Sequence, residues 1–383
     1  MTAPISAYWS PDDPADSTPP RFAPGAPAGP VAPERAEPAS VWAGKLWSAV
    51  AAGDEYSALD TVRNAVDAGL DTEAILLDVI GAVQHRVGVE WAANRMSVAE
   101  EHVATAINDR AIASLPQHRP ETVHGRVTVA CVDGEWHALP ARLLAEVLRL
   151  RGWHVDYLGA QVPSAHLITH LHRTGADVVA LSSSLPTRLP TAHAVITACQ
   201  AAGTPVIVGG AAFGPGGRYA RRLGACGWAP DARTAADRLA SGLPLRDGAR
   251  RAADVLPHLL DQEYTLVKRN ARQLVRDTFT GLADRYPAMA AYSDEQRERT
   301  AEDLAHIVDF LAAALYVDDT GLFTGFLTWT ADILTAREVP AASLLPGLDL
   351  LHEQLRDFPR AQAFLAHGRT ALTAVTTRNG SPA

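Results

Sequence analysis

Between residue 126 and about 243 the sequence alternates strand-length apolar runs with amphipathic stretches, and few architectures accept that order. The apolar runs are 127–132, 153–158, 177–182 and 205–209, with a short fifth near 226–229. The amphipathic stretches fall at about 138–151, 164–174, 187–202, 213–223 and 231–241. Strands separated by helices predict βαβ units, and therefore a parallel sheet with right-handed crossovers. Gly152, Gly175 and Gly203 each follow a predicted helix, where glycine supplies the left-handed residue that ends it. The loops GEWHALP, GAQVP, SSSLP and GGAAFGPGG then share the carboxyl edge of the sheet, where folds of this class bind ligands.

The flanks are of other kinds. Residues 1–39 hold ten prolines among Ala, Gly, Ser and Asp, a composition that neither continues a helix nor fills a sheet. A disordered tail is the expectation there. Residues 40–116 repeat Ala, Leu and Val at three- and four-residue spacing, in segments of about 40–52, 54–68, 71–93 and 97–115. Asp54 and Asp71 suit N-caps, and Ser97 with Glu100 forms a capping-box pattern. Short connections imply antiparallel neighbours, hence a four-helix bundle. A linker follows at 117–125. From 250 to 376 the chain is helical again, with Ser293 and Gln296 as a second capping-box pattern and an aromatic-rich interior around Phe310, Phe323, Phe326 and Trp329.

The net charge is −9 and no Lys/Arg-rich block occurs, which argues against direct nucleic-acid binding. Three cysteines without CxxC spacing make neither a disulfide framework nor a zinc site. No signal-peptide pattern and no run of about 18 apolar residues appears, so a cytoplasmic protein without membrane contact is expected.

Chemistry concentrates at the strand ends. His137 follows the first strand, two residues after Glu135; an imidazole there can ligate a metal with the carboxylate as its supporting partner. By itself it reads more readily as a helix-start or surface residue than as a ligand. Two neighbouring features point further. Ser182, Ser183 and Ser184 end a buried strand, where hydroxyls are costly unless hydrogen-bonded. Gly209 and Gly210 end the next, where missing side chains admit a bulky ligand. A large polar cofactor fits this edge, and a dinucleotide does not, because no GxGxxG follows the first strand.

The order Glu135-x-His137, Gly159, Ser183-x-Leu185, Gly209-Gly210 resembles the cobalamin-binding domain, a Rossmann-like sheet domain. The resemblance implies that His137 is the lower cobalt ligand in a base-off, His-on state and that Glu135 orients it. It implies too that the serines, with Ser182 and Ser183 at the strand end, receive the nucleotide tail in a tunnel lined by glycines. Trp136 and Leu185 belong to the same loops. The sequence departs from that pattern with Glu135 in place of Asp and Pro140 in place of Gly. Trp91, nine residues, then Glu101-His102 is similar to the upper cap of CarH-like light-sensing cobalamin regulators. The resemblance implies that Trp91 covers the 5′-deoxyadenosyl group and that Glu101 and His102 contact it. Read from the bundle alone, Trp91 is a core residue and Glu101 and His102 are a solvated face.

The C-terminal segment 304–337 resembles the globin-like domain of photocobilins, which hold biliverdin beside cobalamin. With no cysteine after residue 226, a bilin here would be held non-covalently. The expected contacts are His306 at the pyrrole nitrogens, Tyr264, Tyr316 and Trp329 as walls, and Arg269 or Arg272 at the propionates. A heme, with His306 or His352 on iron, is the other reading of this domain. The expectation for the whole is a non-enzymatic light sensor. It would bind adenosylcobalamin and biliverdin, change conformation or oligomeric state on cobalt–carbon cleavage, and signal through homo-oligomerisation or a downstream protein. The competing expectation is a corrinoid carrier of a cobalamin-dependent methyltransferase system.

Overall fold

The computed structural model describes residues 37–116, 121–243 and 256–379. The proline-rich tail expected over 1–39 lies outside the described residues except for its last three. So do the first four residues of the 117–125 linker and the beginning of the C-terminal region at 250–255.

The N-terminal part is a bundle of four rods. α1 (Ala39–Ala51) and α2 (Glu55–Asp67) come first. The third rod begins as α3 (Thr72–Ala74), widens into a π-type stretch over Ile75–Gly81 and returns to α geometry as α4 (Ala82–Ala92); α5 (Val98–Ser114) is the fourth. Local chemistry starts these helices. Asp54 and Asp71 accept from the backbone N–H groups of Ser57 and Ala74, and Ser97 and Glu100 close a reciprocal capping box. Leu46, Ala58, Val62, Ile75, Val79, Ile80 and Ile112 fill the interior.

The middle part is a five-stranded, all-parallel sheet in the order β2-β1-β3-β4-β5. Its strands are β1 (Arg126–Cys131), β2 (His154–Gly159), β3 (Val178–Ser182), β4 (Val206–Gly209) and β5 (Gly227–Ala229). The connecting helices are α6 (Leu139–Leu150), α7 (Ser164–Thr174), α8 (Leu189–Ala201), α9 (Arg218–Arg222) and α10 (Ala232–Ala240). The chain reverses direction across the sheet between β1 and β3, so their carboxyl ends part and leave a crevice.

The two-residue period of the strands separates two cores. Val127, Val129, Cys131, Val178, Ala180 and Ile207 face α6, α10 and the helical bundle. Ala130, Val132, Val179, Leu181, Val206 and Val208 face α7, α8 and α9. That second core continues without a break into the C-terminal helices α11 (Glu263–Arg285), α12 (Asp294–Val317), α13 (Thr320–Ala336), α14 (Leu345–Gln354) and α15 (Pro359–Asn379). Ser293 and Gln296 form the second reciprocal capping box, at the start of α12. Phe310 and Phe326 stack with ring centroids 3.8 Å apart and tie α12 to α13.

Polar contacts fix the C-terminal helices against the sheet domain. His193 of α8 shares a 2.8 Å hydrogen bond with the Tyr316 hydroxyl. The Tyr219 hydroxyl donates to Asp319 at 3.0 Å, and Arg222 donates to the Val317 carbonyl. On the bundle's side, Arg151 and Arg233 of the sheet domain clamp Glu73 and Asp78 of the third rod. Among the described residues no helix is long and apolar enough to cross a membrane.

Leu311, fully buried in the shared core, tests its weight. Leu311→Ala should lower stability by about 2–5 kcal/mol. Because the core is continuous, the denaturation midpoints of the sheet and C-terminal helices should fall together; separate transitions would contradict a single core.

Candidate cofactor-binding site

The turn after β1 carries a dense, buried polar arrangement. Glu135 is fully buried, and its carboxylate is met by five donors. Oε1 accepts from the His137 backbone N–H at 3.0 Å and faces His137 Nδ1 at 2.5 Å. Oε2 accepts from Ser183 Oγ at 3.1 Å and from the backbone N–H groups of Ser184 and Leu185 at 2.8 and 3.0 Å. Burial alone would raise the carboxyl pKa, but the hydrogen bonds and charge from His137, with that from Ser184, hold it down at about 2. With the carboxylate ionised, Nδ1 of His137 carries the proton and Nε2 keeps its lone pair. In this state Nε2 accepts from the Trp136 indole at 3.3 Å.

His137 lies on the wall of a cavity of about 680 Å³ between the sheet domain and the bundle. Trp136, Tyr157 and Ser184 share the sheet side, and Glu101 and His102 of α5 stand on the bundle side. Glu101 is buried and accepts from Thr105 Oγ1 at 3.0 Å, while its other oxygen faces His102 Nδ1 at 2.8 Å. Behind them Gln84 donates to Thr105 at 2.9 Å, and Asn108 donates to Gln84 at 2.8 Å. Asn108 is fully buried, and its Oδ1 lacks a partner among the described residues. Sequence reasoning missed Gln84, Thr105 and Asn108. The available signal was amides at apolar-phase positions of two facing helices, which only partners across the bundle make affordable.

A second, narrower cavity of about 120 Å³ opens between β3, β4 and β5 and is lined by Ser182, Gly209, Gly210, Pro140 and Ala229. Gly210 has φ +99°, and a Cβ there would stand 2.3 Å from the Ser183 carbonyl oxygen, so only glycine fits. At the mouth of β2, Gly159 has φ +75°. Pro140 sits in the first turn of α6, where its missing N–H breaks no helical hydrogen bond, so the departure from the family pattern leaves the backbone intact.

For three sets of expected site residues the structure gives these positions. Ser183, expected at the tail tunnel, is fully buried behind Glu135 and supports the carboxylate; Leu185 is buried beside it, and Ser182 alone of these three lines the tunnel. Trp91 is absent from the 680 Å³ cavity and instead lines a third one, of about 300 Å³, between the bundle and the C-terminal helices. It is drawn there by Trp329, whose ring centroid is 6.4 Å away, and by the Arg337 guanidinium over its face at 5.1 Å. The residues assigned to a bilin divide. His306 and Trp329 do line the third cavity. Tyr264 and Tyr316 pack edge to face at 4.8 Å beside His193, in the seam with the sheet domain. Arg269 and Arg272 are exposed on the outer face of α11 and His352 is exposed on α14. The helical phase of α11 turns its arginines to solvent, and Arg299 and Arg337 are the cations at the cavity.

The residues fit a corrinoid. Among the described residues no cluster of three or more His, Cys, Asp or Glu could hold a bare ion. A single imidazole whose Nε2 meets only the adjacent Trp136 indole, beside a large cavity, suits a metal whose equatorial positions are filled by its own ring. The adjoining glycine-walled channel suits a tail. Residues 125–237 match a family model described as B12 binding domain, and residues 42–115 match a second model of that description. The chain is 32% identical over 193 residues to the HTH-type transcriptional repressor CarA of Myxococcus xanthus, covering 46% of this chain and 63% of that protein. It is 30% identical over 179 residues to the repressor CarH of the same organism, covering 45% and 59%. The chain thus spans about three-fifths of the length of these curated relatives. The Methanosarcina barkeri monomethylamine corrinoid protein superposes at TM-score 0.45 with 18% identity, covering 50% of this chain and 94% of that one. A novel cobalamin-binding protein from Desulfitobacterium hafniense DCB-2 gives 0.28 with 21% identity, covering 51% and 95%.

The Glu135 assignment has a pH signature. Its folded pKa of about 2 lies below the ordinary 4.5, so its stabilisation is complete above pH 4.5 and is lost as pH falls toward 2. Glu135→Gln should cost about 3–5 kcal/mol at neutral pH, since an amide cannot accept from both sets of donors. In urea titrations the gap between variant and parent should narrow steadily below pH 4.5; a gap independent of pH would show that the charge contributes nothing.

Proposed function

We propose that the chain is a light-responsive adenosylcobalamin sensor with a second chromophore site, acting through conformation and assembly and without substrate turnover. The observation that carries this reading is the shared cavity: His137 stands on its sheet wall, and the Glu101-His102 pair stands on its bundle wall. When bound, cobalamin supplies a cobalt–carbon bond that visible light cleaves. The residues divide the remaining work. Glu135 fixes the His137 ring and keeps its proton on Nδ1, leaving Nε2 for the metal. The glycine-lined channel takes the nucleotide tail, and Glu101, His102 and Thr105 supply polar contacts to the upper group. The bundle meets the sheet domain through the ionic patch, the apolar core around α6 and the wall of this cavity. A change in the upper ligand therefore biases its position, as a two-state switch requires.

Support for the second chromophore is the 300 Å³ cavity, whose wall combines Trp91 and Trp329 with Arg299, Arg337, Asp303 and His306. Flat aromatic walls with two guanidiniums suit a conjugated dicarboxylate, and biliverdin held non-covalently in a globin-like C-terminal domain is the reading we adopt. The downstream output is expected to pass through a light-dependent homo-oligomer or a protein partner.

Protein mixed with adenosylcobalamin and biliverdin, then desalted, should retain both absorption spectra. Green light should change the cobalamin spectrum and shift the size-exclusion profile. His137→Ala should abolish the base-off, His-on spectrum. Retention of methylcobalamin with equal affinity, with no elution change in light, would favour a corrinoid carrier instead.

A further inference from the structure

The 300 Å³ cavity holds a carboxylate that the fold leaves unused. Asp303 lies on α12 one turn before His306, partly buried. Among the described residues neither side chain makes a hydrogen bond or ion pair. Arg337 faces Trp91 by a cation–π contact, and Arg299 pairs outward with Glu295. A half-buried acid beside two guanidiniums that do not bond to it is an unusual expense for a purely structural site.

Resting on the bilin reading above, we propose that Asp303 is the counter-ion of the pigment. Its carboxylate accepts from the pyrrole N–H groups and holds the bound bilin in its protonated, cationic form, while Arg337 and Arg299 take the propionates. The added proton comes from water and sits on a pyrrole nitrogen; the carboxylate stays ionised, and no bond to carbon forms or breaks. The charges facing Asp303 agree with this division. Burial first, and then Glu302, raise its carboxyl to about 6, whereas Arg337 and Arg299 lower it. His306, on the same helix, is shifted down by burial, which favours a neutral ring beside the pigment. Tyr292 is the remaining titratable group of the wall, and α4 contributes only Trp91. A cationic pigment adds a charge that offsets this burial and favours the ionised carboxylate of Asp303.

The consequence is a colour that depends on pH through one residue. In the full chain loaded with biliverdin, the protonated, red-shifted band should persist to higher pH than in Asp303→Asn by about one to three units. Asp303→Glu should restore most of that difference. Equal titration midpoints in the parent and Asp303→Asn, with pigment retained in both, would overturn the counter-ion role and leave the bilin reading standing. Failure of the parent chain to retain biliverdin would remove both. Loss of retention in Asp303→Asn but not in Asp303→Glu would support the charge requirement. Loss in both variants, with an unchanged circular dichroism spectrum, would mean that Asp303 shapes the cavity without acting as counter-ion. Pigment affinity measured by fluorescence quenching of Trp91 and Trp329 gives a readout independent of colour.

Discussion

The structure of the site depends on one buried carboxylate. Glu135 reaches from the turn after β1 to the loop after β3, and five donors converge on its two oxygens. A buried charge so fully satisfied is rigid, because displacing any donor exposes the others to an uncompensated anion. The same interaction sets the tautomer of His137, ties the turn after β1 to the loop after β3, and decides which nitrogen faces the cavity. Ser183 and Leu185 act through it.

The bundle and the C-terminal helices approach the sheet domain from opposite faces yet meet each other. The bundle is fastened by Arg151 and Arg233 and by the core around α6. The C-terminal helices share their core with α7, α8 and α9. Trp329 packs against both cores, Asn94 donates to the Ala336 carbonyl at 3.4 Å, and Trp91 enters the C-terminal cavity. A movement of the bundle is therefore felt at α13 without an intervening linker. Both cavities draw wall residues from the bundle, Trp91 in one and Gln84, Glu101 and His102 in the other, so a shift of the bundle would link their occupancies reciprocally.

Much of this was legible in the residues. The alternation of strand and helix, the four capping sites and the Glu135-x-His137 turn are local or periodic signals; the bundle helices and the strands fall within one or two residues of their expected bounds, whereas α9 begins at Arg218 against an expected 213. What the sequence did not show was side-chain direction across domains. Trp91 reads as a lid for the nearer cavity because the sequence shows its spacing to Glu101 but not its neighbour Trp329. Arg269 and Arg272 read as anion ligands by type, although their phase on α11 turns them outward. Gln84 and Asn108 read as ordinary polar residues, because the hydrogen bond that joins them spans 24 positions of chain.

The sequence by itself determined the parallel sheet, the bundle before it and the imidazole–carboxylate pair at the strand end, because periodicity, capping and a two-residue spacing are encoded within a few positions. It also determined that Gly210 admits no side chain only in outline; the 2.3 Å approach to the Ser183 carbonyl oxygen belongs to the folded chain. Tertiary structure alone decided that His137 and Glu101 face one cavity, that Ser183 supports Glu135, and that Trp91, Asp303, His306 and Arg337 surround another. Those outcomes depend on which helix faces meet, and packing between distant segments settles them after each segment's own conformation is fixed.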